Sequence, residues 1–168
     1  MLDARNAPVN VYLSAGSNIA PEQNLKLACK QLAADYGDLT LSSVYQSNAF
    51  GFQGDDFLNM VIGFSTNETP EVIVERLEAL HVQAHRERQE DPFSSRTLDL
   101  DLLLYGDMVR RRLKLPHADI EKYSFVLGPL AEVAPVLPHP VSGVTMAELW
   151  QGFDQQAHPM HKVSIGLK

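Results

Sequence analysis

Cysteine is almost missing from this chain: Cys29 is the single thiol in 168 residues, so no intrachain disulfide can form. Positive charge is scarce as well. Fourteen Lys and Arg stand against 21 Asp and Glu, a net charge of −7. A broad nucleic-acid surface needs clustered cations to displace counterions from many phosphates, and an RNA-binding sheet also needs exposed strand aromatics and a basic face. Neither partner fits. No stretch reaches the roughly 20 apolar residues of a membrane span, and Met1-Leu2-Asp3-Ala4-Arg5 opens with mixed charge rather than a basic region and apolar run. A cytoplasmic protein without membrane contact is therefore expected. The remaining composition, 45% hydrophobic and 21% charged, suits one globular domain spanning 1–168. Cys29 recurs at helical spacing with Leu25, Ala28 and Leu32, which marks it as a small packed residue rather than a nucleophile.

What the chain does hold is concentrated in Arg96-Thr97-Leu98-Asp99-Leu100-Asp101-Leu102-Leu103-Leu104-Tyr105-Gly106. The two-residue alternation predicts a strand that turns Leu98, Leu100, Leu102 and Leu104 into a core and Asp99 with Asp101 to the other face. Two carboxylates about 7 Å apart along a strand repel unless a positive group lies between them, and a hard divalent cation, naturally Mg²⁺, is the usual remedy. The plainer alternative is a half-buried strand with an acidic outer face. Arg96 favours the cation, because a guanidinium there would neutralise a phosphate held by the same metal. Two further basic clusters, Arg86 with Arg88 and Arg110-Arg111-Arg112 with Lys114, suit a small anionic substrate or, alternatively, a solvated face.

Val9 to Leu13 reads as a strand closing on a turn at Ser14-Ala15-Gly16-Ser17-Asn18, with Pro21 opening a helix. Leu39 to Tyr45 reads as a second strand, Gln46 to Asp56 as a glycine-containing loop, and Phe57 to Ser65 as a third strand. Thr69-Pro70 caps a long helix whose stripe is Ile73, Leu77, Leu80 and Ala84, and Gln89 to Ser95 is a polar loop before the acidic strand. Asp107 to Leu115 is expected to be extended, Ser124 to Val133 helical, and Thr145 to Gln151 a short helix. His81 and His85 are expected on a helix surface, and His139, His158 and His161 in solvent; the tail from His158 to Lys168 shows no period. The order strand, helix, strand, strand, helix, strand predicts an α+β, ferredoxin-like fold, an antiparallel sheet with two helices on one face.

With these residues laid out, the chain resembles the 6-hydroxymethyl-7,8-dihydropterin pyrophosphokinase family from about Val11 through Pro135. Its most specific part is Arg-Thr-Leu-Asp-Leu-Asp with the Tyr-Gly turn, supported by Ala15-Gly16-Ser17-Asn18, Phe57-Leu58-Asn59, Pro116-His117, Phe125-Val126-Leu127 and Pro129-Leu130-Ala131-Glu132. The resemblance implies transfer of the β,γ-diphosphoryl group of ATP to the hydroxymethyl oxygen of a reduced pterin, with release of AMP, in folate biosynthesis. It implies two Mg²⁺ ions on Asp99 and Asp101. It assigns Arg86, Arg88 and Arg96 to catalysis beside those acids, and Arg86, Arg96, Arg112 and His117 to ATP. Ser47, Asn48, Phe50, Phe57, Asn59, Phe93 and Phe125 would form the pterin slot, where ring faces stack and an amide matches the polar edge. ATP and the pterin are the expected partners of a monomer.

The chain departs from the family pattern at several positions. Gln89-Glu90-Asp91-Pro92-Phe93-Ser94-Ser95-Arg96 replaces a basic run ending in Arg-Trp-Gly-Pro-Arg, Tyr123 stands where arginine is frequent, and His81 where a helix glutamate is common. The alternative to an active enzyme is a non-catalytic or altered-specificity binder of pterin or nucleotide.

Overall fold

A computed structural model describes residues 7–47, 57–86, 98–157 and 159–167, with the side chains of His85 and Arg86 outside that description. In chain order its elements are β1 (Val9–Ser17), α1 (Pro21–Tyr36), β2 (Thr40–Leu41), β3 (Val44–Ser47), β4 (Phe57–Thr66) and α2 (Pro70–Arg86). They continue with β5 (Asp99–Tyr105), α3 (Ser124–Val133), α4 (Met146–Gln151) and β6 (Met160–Val163). The sheet runs β5-β1-β4-β3-β6, with β2 also pairing β4. All of these pairings are antiparallel, consistent with the ferredoxin-like expectation. No described helix is long and apolar enough to cross a membrane.

Pro21 starts α1, where its missing N–H is no loss, and Leu25, Ala28, Cys29 and Leu32 form the buried stripe. Burial pushes the Cys29 thiol up to about 11, which makes it inert. The stripe of α2, Ile73, Leu77, Leu80 and Ala84, joins the same core beneath Val11, Leu13, Ala15, Met60 and Ile62. The opposite sheet face has its own core, where Val61, Leu103 and Leu104 meet Val126, Leu127 and Leu130 of α3 and Met146 of α4. The two expected helices, α1 and α2, thus share one face as predicted, and α3 with α4 covers the other face in addition. The cause lies in α3, apolar through most of its length, which needs a second sheet surface to bury it.

The leucine strand also departs from strict alternation. The pairing of β1 with β5 slips between Tyr12, opposite Leu104, and Leu13, opposite Leu102, so Leu103 is an extra residue in a bulge. Leu98, Leu100 and Leu102 enter the first core as expected, whereas Leu103 and Leu104 both enter the second.

Other boundaries shift for local reasons. β1 continues through the expected turn to Ser17, because Ser14 to Ser17 are paired with β4. The expected second strand is broken at Ser42 and Ser43: the Ser42 N–H donates to the Val61 carbonyl and the Ser42 hydroxyl accepts from the Val61 N–H at 2.8 Å. Asp107 to Leu115 is not extended but holds a 3-10 turn at Arg111–Leu113, closed by an Arg110–Leu115 bridge. The tail contributes β6, which pairs with β3, and Met160 lies against Gly128 of α3, where a Cβ would clash with its methyl. His139 is only 5% exposed, contrary to expectation: its Nδ1 accepts from the Val141 N–H at 3.2 Å and its Nε2 lies 3.3 Å from Glu121.

α3 is tied to β3 and the segment before it by Glu132. Its carboxylate accepts from the Ser43 N–H at 2.9 Å, the Ser43 hydroxyl at 2.8 Å and the Tyr45 hydroxyl at 2.6 Å. Burial acts to raise this carboxyl, but hydrogen bonds from Tyr45 and Ser43, with the charge of Lys162, outweigh it and hold the group below its usual value. A depressed carboxyl stabilises the fold above its unfolded value and loses that contribution as pH falls through the folded one. Glu132→Gln is thus expected to cost about 1 kcal/mol at pH 7, the worth of charge-assisted hydrogen bonds discounted for solvent exposure. In urea denaturation the gap to the parent should close as pH is lowered below about 4, near the ordinary carboxyl value; a gap constant from pH 7 to 3 would contradict this role.

Candidate active site

β1 is central, and Gly16 pairs with Asn59 of β4 on one side and with Asp99 of β5 on the other. Asp99, Gly16 and Asn59 therefore form one row across three strands. At ordinary strand spacing the outer two are about 10 Å apart, with a bare glycine as the floor. The floor must be bare: a Cβ on Gly16 would sit 2.6 Å from Asn59 Oδ1. The next row of this face pairs Ser14 with Asp101. Asn59 donates through Nδ2 to the Ser47 hydroxyl at 3.3 Å, and both residues are buried, so the amide is held in one orientation.

These groups line one cleft, with Phe57, Tyr123, Phe125 and Val126 as its apolar side and Asp99, Asp101 and Asp119 as its acidic end. Tyr123 and Phe125 stack with centroids 4.9 Å apart at 17°. Phe125 thus lines the cleft rather than being a plain core residue. Lys122 Nζ lies 5.5 Å from the Tyr123 ring centre, so a cation stays beside the position where the resemblance expects arginine.

Asp119 is a carboxylate that sequence reasoning missed. It sits in the 3-10 turn Ala118–Glu121, and Asp101, His117 and Asp119 offer ligand atoms within 4.8 Å of one another. The only available signal was the spacing Pro116-His117-Ala118-Asp119, which carries no strand or helix period. His117 Nδ1 accepts from the Asp119 N–H at 3.1 Å, whereas its 3.7 Å separation from Asp119 Oδ2 is too long for a hydrogen bond. With Nδ1 accepting, the ring proton is on Nε2, which is then the donor. A neutral ring in that state offers no lone pair at Nε2 to a metal.

Burial, and then the charge of Asp99, raise the Asp101 carboxyl above its ordinary range. Crowded carboxylate oxygens are a donor set suited to a hard divalent ion such as Mg²⁺. The residues present fit that ion, with Asp99 and Asp101 as holders and Asp119 beside them.

Of the residues singled out from sequence, Ser47, Phe57, Asn59, Asp99, Asp101 and Phe125 line the cleft together, and His117 stands beside its acidic end. Arg112 does not line it: it is exposed on the turn Arg111–Leu113, near Glu71. Asn48, Phe50, Arg88, Phe93 and Arg96 lie outside the described residues, as does the side chain of Arg86.

The profile of the 7,8-dihydro-6-hydroxymethylpterin-pyrophosphokinase (HPPK) family matches residues 12–135. The chain is 38% identical to the 2-amino-4-hydroxy-6-hydroxymethyldihydropteridine pyrophosphokinase of Synechocystis over 144 residues, covering 83% of this chain and 73% of that one. It is 33% identical to the Haemophilus influenzae protein of the same name over 162 residues, 93% and 99% of the two chains. Among solved structures, a triple mutant of Plasmodium falciparum HPPK-DHPS superposes with a TM-score of 0.66 at 11% identity over 87% of this chain. The wild-type form gives 0.59 at 13% over 89%. This chain spans 42% and 45% of those longer chains, and at such identity the likeness speaks for the fold alone. Family profile and curated relatives together establish that the chain belongs to the 7,8-dihydro-6-hydroxymethylpterin-pyrophosphokinase family.

Proposed function

We propose that this protein is the Mg²⁺-dependent enzyme that transfers diphosphate from ATP to 6-hydroxymethyl-7,8-dihydropterin, releasing AMP, in folate biosynthesis. The observation that supports this reading is the row Asp99, Gly16, Asn59 on one sheet face, in which the acids proposed for the polyphosphate lie beside the amide proposed for a flat heterocycle. The hydroxymethyl oxygen, giving up its proton to solvent, attacks the β-phosphorus as the bond from that phosphorus to the α,β-bridging oxygen breaks, and AMP leaves with that oxygen. In such transfers a protein chiefly positions groups and offsets charge.

Each residue has a task in that scheme. Asn59, fixed by Ser47, matches the donors and acceptors of the pterin edge, and Phe57 with Phe125 holds its faces. Asn48, Phe50 and Phe93 join them on the strength of the resemblance. Asp99 and Asp101 hold the magnesium, which when bound neutralises triphosphate oxygens. His117 donates from Nε2 to a phosphate oxygen because the Asp119 N–H occupies Nδ1. Arg86, Arg88 and Arg96 offset charge on the transferred group, and Arg112 reaches the nucleotide from its exposed turn.

With ATP, reduced hydroxymethylpterin and Mg²⁺, a coupled assay should detect AMP at a rate far above background. Pterin binding by calorimetry with no AMP release would replace the enzyme by a non-catalytic binder. Asp99→Ala should lower AMP release by about 100-fold or more and leave the melting temperature nearly unchanged; wholesale unfolding would make that acid a structural residue instead. Gly16→Ala should push Asn59 aside and weaken pterin affinity, read by fluorescence titration, by about 10-fold or more. Affinity for an ATP analogue should move much less, and equal losses for both ligands would refute the row arrangement.

A further inference from the structure

The acidic strand lies at an end of the sheet, and its far edge is held by a histidine. Among the described residues β5 has β1 as its one strand neighbour in the order β5-β1-β4-β3-β6, so alternate backbone amides of β5 face away from β1. Edge amides left without acceptors fray or invite foreign strands. Leu100, between the two aspartates, donates its N–H to His81 Nε2 at 2.8 Å. His81 reaches that edge from α2, and the helix packs on β5 along this stretch. Its other nitrogen, Nδ1, lies 3.4 Å from Glu78 Oε1. An acceptor at Nε2 and a carboxylate beside Nδ1 define the neutral ring with its proton on Nδ1.

We propose that His81 is a positioning residue for the cation-holding strand. The inference rests on the magnesium role of Asp99 and Asp101 proposed above. Strand alternation turns the amides of Asp99 and Asp101 toward β1, the Leu100 side chain is buried in the core at 2% exposure, and His81 takes the remaining amide. The backbone between the two acids is thus gripped from both edges and from below. That grip sets the separation and aim of the carboxylates, much as an outer-shell hydrogen bond orients a metal ligand. His81 is assigned to act through the Leu100 amide rather than by holding substrate or cation itself.

The test compares His81→Leu, which cannot accept, with His81→Gln, whose Oε1 can take the place of Nε2. Three quantities are measured: Mn²⁺ affinity in the presence of a non-hydrolysable ATP analogue by electron paramagnetic resonance, hydrogen exchange at the Leu100 amide, and kcat with KM. His81→Leu should weaken Mn²⁺ binding by about 10-fold, lose protection at Leu100, and lower kcat more than it raises KM for the pterin. His81→Gln should restore all three to within about threefold. His81→Ala, which removes the acceptor without inserting bulk, replaces the leucine variant if that one does not fold. Unchanged Mn²⁺ affinity in a folded variant that has lost Leu100 protection overturns the proposal, as does a glutamine variant as impaired as the leucine one. A parent protein that binds no Mn²⁺ with the analogue would instead overturn the magnesium reading beneath it.

Discussion

The double pairing of β1 is the constraint on which the cleft depends. Because this strand is hydrogen-bonded on both sides through Gly16, residues more than eighty positions apart in the chain, Ser14 or Gly16 and the aspartates of β5, are placed in register with no freedom to slide. A shift of one residue would send Asp99 and Asp101 into the apolar core and the leucines to the cleft. Burial of Leu98, Leu100 and Leu102 on one side therefore holds the acids on the other. The hydrophobic effect thus helps to keep like charges together.

That arrangement gathers carboxylates at one end of the cleft. Asp101 is raised by burial and by Asp99, and Asp119 adds a third acid beside them. In the proposed function a divalent cation would gather these oxygens and a polyphosphate would approach it there. At the other end of the row the amide of Asn59 and the aromatic side chains are the groups proposed to hold a flat, polar-edged ring. The bare glycine between them permits one ligand arrangement to extend over both ends.

The bulge at Leu103 has a comparable role in the fold. By placing Leu103 and Leu104 both on the second face, it supplies β5 with a patch against which α3 and the His117 segment settle. The His117 N–H donates to the Leu103 carbonyl at 3.0 Å, so the turn bearing His117 and Asp119 is fastened to the acidic strand itself. Glu132 and the β6 strand fasten the opposite end, where β3 carries Ser47 toward Asn59.

Period and punctuation in the chain were enough to indicate β1, α1, β4, α2, β5, α3 and α4, the buried stripes of the helices, and the shared face of Asp99 and Asp101. These follow from side-chain alternation and from Pro and Thr at helix starts, which are local properties of consecutive residues. The break at Ser42, the bulge at Leu103, the burial of His139 and the pairing of β6 were not legible, since each depends on a partner strand or turn distant in sequence. Asp119 and His81 belong with them: one gains its place from a turn packed on Leu103, the other from an edge amide that exists only once the sheet has an end. Local periodicity thus determined which side chains share a face, and tertiary packing alone decided which faces, edges and turns meet, because strand register and burial are set by contacts between segments far apart in the chain.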